Sequence, residues 1–330
     1  MFDFPSRPRR LLAAMLIAGI AAAPSVALAE TTIRLGHVLA DSHSWHVASQ
    51  GFASEVAEKT EGRVKVEVFA GGQLGTEKEM VEGLQFGSVQ GAVIGSGSFQ
   101  SVEPKLGLIE MPYAWDSREQ AFAALDGKLG EAFADLLRAK GIEVLGWWEN
   151  GYRQVTNSKH PINTPADLQG LKIRVTPDKV RLETFEALGA QPAPLAFGEL
   201  YSALQQGVFD AQENPLPIIY SSSFFDVQKY VSMTSHVWGA ACLVVSSQVW
   251  DGLSPEDQAA VKAAAQHWAG EQRRMVAEGE ADTIAKLKEK GMEFNEVDKA
   301  AFVGAVQPVW DSHREGYGKD LMAVYESYRK

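Results

Sequence analysis

The chain has 330 residues, 45% of them hydrophobic, and its 42 acidic residues outnumber 31 Lys and Arg to leave a formal charge of -11. That balance argues against nucleic acid or an anionic membrane surface as a partner, and the lone cysteine, Cys242, rules out an intramolecular disulfide. An anionic ligand would have to find a local positive pocket, so a few arginines should dominate its recognition.

The first 29 residues have the three-part layout of a secretory signal: Arg7-Pro8-Arg9-Arg10, an uncharged apolar run from Leu11 to Ala23, and Ala27-Leu28-Ala29 ahead of Glu30. The run is too short, and too interrupted by Gly19 and Pro24, to span a bilayer. A cleavable signal peptide over 1–29, export by the general secretory route and a mature chain from Glu30 are expected. Loss of three arginines and one aspartate with the leader takes the charge from -11 to -13. About 300 mature residues exceed the usual size of a single core, which predicts two domains.

Thr31 to Gly36 alternates as a strand, and Val47, Phe52 and Val56 recur at helical spacing between Trp45 and Lys59 before Gly62 ends the pattern. Val64 to Phe69 is a second strand, a helix runs from about Thr76 through Met80, Val81, Leu84 and Phe86, and Gly91 to Ile94 is a third strand. This βαβαβ rhythm predicts a mostly parallel sheet with ligands at the carboxyl ends of its strands. The segments there are His37 to His46, Gly71-Gly72-Gln73 and Gly95-Ser96-Gly97-Ser98. A second unit is expected to begin near Asn150, where Ile142 to Trp148 ends one strand and Arg153 to Thr156 begins another. Thr164-Pro165 opens a short helix closed by Gly170. In the next strand Leu171, Ile173 and Val175 share one face, so Arg174 points away from that apolar stripe with Lys172 and Thr176. Helices follow over Val180 to Leu188 and Leu200 to Gln206. Ser254-Pro255-Glu256-Asp257 caps the longest helical signal, which reaches Lys290 and stops at Gly291. Its length of about 50 Å predicts that it bridges both domains, with bends at Gly270 and Gly279.

The common hydrolase and nucleotide signatures are absent, and no cofactor is implied. His43 and His46 near Asp41 admit either a divalent metal or an ordinary helix start, and Cys242 reads as a small buried apolar residue. Arg174, within Leu171-Lys172-Ile173-Arg174-Val175-Thr176-Pro177, presents a planar fork suited to a carboxylate. Asn150-Gly151-Tyr152-Arg153-Gln154 and Gln212-Glu213-Asn214-Pro215 complete the set. Arg153 could equally bridge to Glu149 or another acid, and Asn214, preceding Pro215, could be a turn residue. His43, Ser44 and His46 are candidates for the pocket edge, and Trp147, Trp148 and Trp238 for aromatic walls. A competing reading makes the chain a secreted enzyme using His43 or His46 with Glu213 as acid and base.

With Leu35-Gly36-His37-Val38, Gly71 to Gly75, Met111-Pro112-Tyr113, Pro194 to Tyr201 and Asp210 to Pro215 added in this order, the chain resembles the substrate-binding proteins of TRAP transporters, the tripartite ATP-independent periplasmic carriers of organic acids. The resemblance covers essentially all of the mature chain. It implies a two-lobed α/β fold of the periplasmic binding protein type, with mixed sheets flanked by helices and a long hinge-spanning helix. Lobe I would comprise 30–150 plus about 239–278, and lobe II 151–238 plus about 279–330. It also implies a monomer that closes on a small carboxylate, a C4-dicarboxylate or a sugar acid, and docks on a membrane permease or a sensing receptor. By the same resemblance Arg174 pairs with the ligand carboxylate, Arg153 is a second pocket arginine, Asn214 hydrogen-bonds the ligand and Phe197 is an aromatic wall. Ser96, His46 and Trp148 are the remaining candidates. Sialic-acid members place a glutamate after the strand ending Val93-Ile94-Gly95-Ser96, where this chain has small residues, which argues against that ligand.

Overall fold

The computed structural model describes residues 1–3 and 30–329, so the expected signal segment falls almost entirely outside the described residues. Nine strands form one sheet: β1 (Thr31–Gly36), β2 (Val64–Phe69), β3 (Gly91–Gly95), β4 (Ile142–Asn157), β5 (Lys172–Val175), β6 (Gln191–Pro194), β7 (Ala211–Pro215), β8 (Tyr230–Ser246) and β9 (Glu293–Asn295). The order is β2-β1-β3-β8-β4-β7-β5-β6, with β9 on the first residues of β8. The β2-β1-β3 and β7-β5-β6 ends are parallel, as the βαβ rhythm predicts, but β8 and β4 pair antiparallel between them. The sheet is therefore mixed.

β4 and β8 hold the two ends together. With 16 and 17 residues, each extends about 50 Å, and they pair from Ile142 opposite Ser246 to Asn157 opposite Tyr230. The expected break near Asn150 does not occur; one strand runs through it. Asn150-Gly151 makes a bulge, one of three register shifts in the β4–β8 ladder, between Glu149 and Gly151; the others lie between Val144 and Gly146 and between Arg153 and Val155. Gly151 has φ +119°, and a Cβ on it would lie 3.3 Å from Pro215 Cβ.

The long helix Pro255–Glu289 starts on the Ser254 cap, whose hydroxyl accepts from Asp257 N, and runs unbroken through Gly270 and Gly279. It lies along β4 and donates to that strand: Lys262 to Val144 O at 2.8 Å, Arg273 Nη2 to Trp147 O at 2.6 Å and Gln272 Nε2 to Glu149 O at 2.9 Å. Gln272 Oε1 also accepts from Glu149 N at 2.7 Å. Both backbone groups of Glu149, at the bulge, are thus hydrogen-bonded by one side chain.

Helix Ser44–Lys59 buries Trp45, Ala48, Phe52 and Val56, while Val47 turns to solvent. Helix Glu77–Phe86 buries Met80, Val81 and Leu84 and leaves Phe86 exposed. Cys242 is buried in β8. The C-terminal helices divide: Phe302 and Val306 join the core around Ile173, Val175 and Phe185, whereas Val309, Tyr317, Leu321, Met322 and Tyr325 pack with Leu129, Phe133 and Trp238. The segment 279–330 therefore does not pack as one piece with the β7-β5-β6 end. Among the described residues no helix is long and apolar enough to cross a membrane.

Alanine at Gly151 must adopt a positive φ beside Pro215, and Gly151→Ala is expected to cost about 1–3 kcal/mol. Urea unfolding measures this, and an unchanged midpoint would show that the bulge tolerates a side chain.

Candidate functional site

Between the two ends of the sheet, at the bulge, lies a cleft with about 440 Å³ of empty space. Its walls include Val38, Leu39 and Trp45 after β1, Gly95, Gly97 and Ser98 after β3, Asn150 and Arg153 on β4, Arg174 and Thr176 at β5, Phe197, and Asn214 on β7. Glu77, Glu110, Asp178 and Ile218 complete it.

Arg174 reaches the cleft because strand alternation buries Ile173 and Val175 in the core on the opposite face. Its Nε and Nη2 donate to Leu195 O at 2.9 and 2.6 Å, and the guanidinium lies 6.0 Å from the centre of the Phe197 ring. Leu195 follows β6, an edge strand whose Pro192 and Pro194 sit where a missing N–H is tolerated. Arg174 is 1% exposed, yet among the described residues no carboxylate comes within 4.0 Å of it and no protein acceptor engages Nη1. Burial, opposed by Glu213, lowers its pKa to about 10. It is a desolvated cation held by a neutral carbonyl.

Arg153 is engaged differently. Its Nε and Nη2 reach Glu213 Oε2 and Oε1 at 2.5 and 2.8 Å, and Nη2 also meets Glu213 O at 2.6 Å and Asn214 Oδ1 at 3.0 Å. Glu213 additionally accepts from Arg181 Nη1 at 2.5 Å and faces His236 Nε2 at 3.1 Å, while Arg181 Nη2 pairs with Glu110. Burial alone would raise the Glu213 carboxyl, but Arg153 and Arg181 outweigh it and hold it well below the usual range. Burial keeps His236 neutral, its pKa lowered to about 4 against the pull of Glu213. Two arginines and two glutamates thus pair in the floor of the cleft, which is the bridging role for Arg153, with Glu213 as the acid rather than Glu149.

Of the sequence candidates, Arg174, Arg153, Asn214 and Phe197 line the cleft, and three do not. Ser96 is buried behind it, its hydroxyl 2.5 Å from Glu110 Oε1. His46 faces His37 Nε2 at 3.1 Å and Gln50. Trp148 is fully buried in the core with Phe52, Leu145 and Ala265, because its position on β4 points it toward the helix layer. Trp147 and Trp238 are also core residues. His43 caps helix Ser44–Lys59, accepting from Trp45 N, and neither it nor His46 touches Glu213, so the acid–base pairing of the enzyme reading is not formed. The described residues hold no group of three or more His, Cys, Asp or Glu able to bind a metal.

Sequence reasoning missed Glu77, Glu110, Asp178 and Arg181. Glu77 follows the Thr76 capping box at a helix start; its carboxylate turns inward, accepting from Gly95 N at 3.1 Å and Ser98 Oγ at 2.9 Å, and burial raises its pKa. Asp178 is the N-cap of helix Lys179–Ala187, with Oδ1 accepting from Arg181 N at 2.6 Å. Burial, partly offset by Arg181, pushes its pKa up to about 7. An Asp one residue before a helical run was the available signal for that position.

A cationic fork facing a half-open cleft between two sheet ends defines a receptor for a small anion. The model of the DctP family, bacterial extracellular solute-binding protein family 7, matches residues 35–316, and the chain belongs to that family. It is 37% identical over 299 residues to the 2,3-diketo-L-gulonate-binding periplasmic protein YiaO of Escherichia coli, covering 90% of this chain and 91% of that one. Among solved structures, a TRAP periplasmic solute-binding protein from Polaromonas bound to D-erythronate matches with TM-score 0.87 and 37% identity over 90% of this chain and 98% of that one. One from Roseobacter denitrificans with bound L-galactonate matches with TM-score 0.86 and 35% identity over 92% and 99%. The resemblance to TRAP substrate-binding proteins is borne out.

Burial, reinforced by His37, lowers the His43 pKa to about 3, so this ring stays neutral in the fold. As pH falls below 6.5 the unfolded chain takes up a proton that the folded ring refuses, and stability drops by about 1.4 kcal/mol per pH unit until the folded pKa is reached. His43→Asn, which keeps a capping acceptor, should therefore lose less stability between pH 6 and 4 than the parent. Urea midpoints at the two pH values test this, and equal losses would contradict a neutral buried His43.

Proposed function

We propose that this chain is an exported periplasmic receptor that captures a small organic acid through an Arg174–carboxylate pair and hands it, unchanged, to a TRAP membrane permease. The observation that carries the reading is the state of Arg174: a buried guanidinium facing the cleft, fixed by Leu195 O, with no carboxylate partner among the described residues. A ligand carboxylate supplies the missing charge and a bidentate acceptor. Ligands named for the relatives, 2,3-diketo-L-gulonate, D-erythronate and L-galactonate, are all acids.

Capture works by differential affinity. Residues on both sheet ends contact the ligand together only when the cleft is closed, so binding favours closure. The moving bodies are the lobes 30–150 with about 239–278, and 151–238 with the chain to about 306, with helices Gln307–Tyr317 and Lys319–Ser327 carried on the first. Flexure takes place at the midpoints of β4 and β8, and the receptor acts as a monomer. The apolar run at Leu11 to Ala23 and the Ala27-Leu28-Ala29 site direct export and cleavage before Glu30.

The test is thermal unfolding of the chain from Glu30 with a panel of sugar acids, keto acids and C4-dicarboxylates, beside Arg174→Ala. A ligand that binds only the folded state raises the midpoint. The variant should lose about 30- to 1000-fold in affinity, or about 2–4 kcal/mol. Binding undiminished in the variant would make Arg174 structural and remove the basis of the reading.

A further inference from the structure

The cleft also carries a group of acceptors. Asp178 is 7% exposed and lines the cleft, and its Oδ2 receives no hydrogen bond from the protein. Asn150, also 7% exposed and on the wall, has an Oδ1 in the same condition. Glu77 brings a full carboxylate whose protein donors, Gly95 N and Ser98 Oγ, occupy one site on each oxygen. These groups surround the glycine-rich turn after β3: a Cβ at Gly95 would lie 3.6 Å from both Glu77 Oε1 and Asn150 Nδ2, and one at Gly97 would lie 3.1 Å from Asp178 Oδ2. Small residues at these positions let the acceptors approach one another.

Buried acceptors without donors are costly, and a ligand that brings donors recovers that cost. We propose that Asp178, Glu77 and Asn150 read hydroxyl groups, so that the receptor selects polyhydroxy monocarboxylates and rejects C4-dicarboxylates. This deepens the Arg174 reading and rests on it. Arg174 takes the single carboxylate. A second carboxylate set against these acceptors carries no proton to donate and lies beside Glu77. A hydroxylated carbon chain instead donates one O–H to each acceptor and adds no charge.

The experiment is calorimetric titration of the chain from Glu30 with D-galactonate, D-glucuronate and D-erythronate against succinate, L-malate and 4-aminobutyrate. Asp178→Asn, Glu77→Gln and Arg174→Ala are titrated in parallel. Asp178→Asn retains the capping oxygen toward Arg181 N while removing the carboxylate, and its unliganded unfolding midpoint reports whether it folds. The expected result is binding of at least one hydroxy acid, none of the dicarboxylates, and a loss of about 10- to 100-fold in Asp178→Asn and in Glu77→Gln. Succinate or malate bound as tightly as the hydroxy acids, 4-aminobutyrate preferred over them, or both acceptor variants binding like the parent would overturn the proposal while leaving the anchor intact. Loss confined to Glu77→Gln, should Asp178→Asn not fold, supports it. Failure of every acid to bind, or undiminished binding in Arg174→Ala, would instead overturn the anchor on which it rests.

Discussion

Glu213 is the charge around which the cleft is organised. Its carboxylate sits on β7, fully buried, and draws Arg153 from β4, Arg181 from the helix after β5 and His236 from β8 onto one point. Arg181 then carries the connection to Glu110 and through it to Ser96 and Gly97. Desolvating so many charges is favourable only when each is matched and hydrogen-bonded, and here the matching is done within the protein. Removing one member would strand the others in a low-dielectric interior. The network thus fixes the floor of the cleft while leaving Arg174, just beside it, as the cation without an anionic protein partner.

Electrostatics and topology serve the same end. β4 and β8 belong to both ends of the sheet, so the groups that meet in the cleft come from both halves without a flexible linker between them. The bulge at Asn150 places that side chain in the cleft, and Gln272 and Arg273 on the long helix hold the backbone around it. On the proposed function, closure and opening would flex these two paired strands near a point already out of regular register.

Much of this was legible in sequence where the signal is local. Strand alternation set Arg174 apart from Ile173 and Val175, the Ser254 cap and Gly291 bounded the long helix, and the early βαβαβ rhythm matched its strands. What was not legible depended on residues far apart in the chain. The sequence marks Arg153 and Glu213 separately and gives no sign of Arg181 or His236; only packing shows the four to be one ion cluster. Asn150-Gly151 marked a boundary between two strands because glycine more often ends a strand than sits inside one. Trp148 was a plausible cleft wall from its position near a strand end, yet the helix layer covers that face of β4. Glu77 and Asp178 were not marked as cleft residues, since the sequence does not say that a second wall lies opposite them.

The place of β8 has a consequence for how the chain is assembled. β3 and β4 follow each other along the sequence but are not neighbours in the sheet; β8 lies between them. Until Tyr230–Ser246 has emerged, both strands keep an open edge and the sheet is two fragments, each lacking its central partner. Completion waits on contacts between residues about 70–155 positions apart, which slows folding. Under the export proposed above, that delay would favour passage through a membrane as an extended thread, because the stable core cannot close until β8 is available.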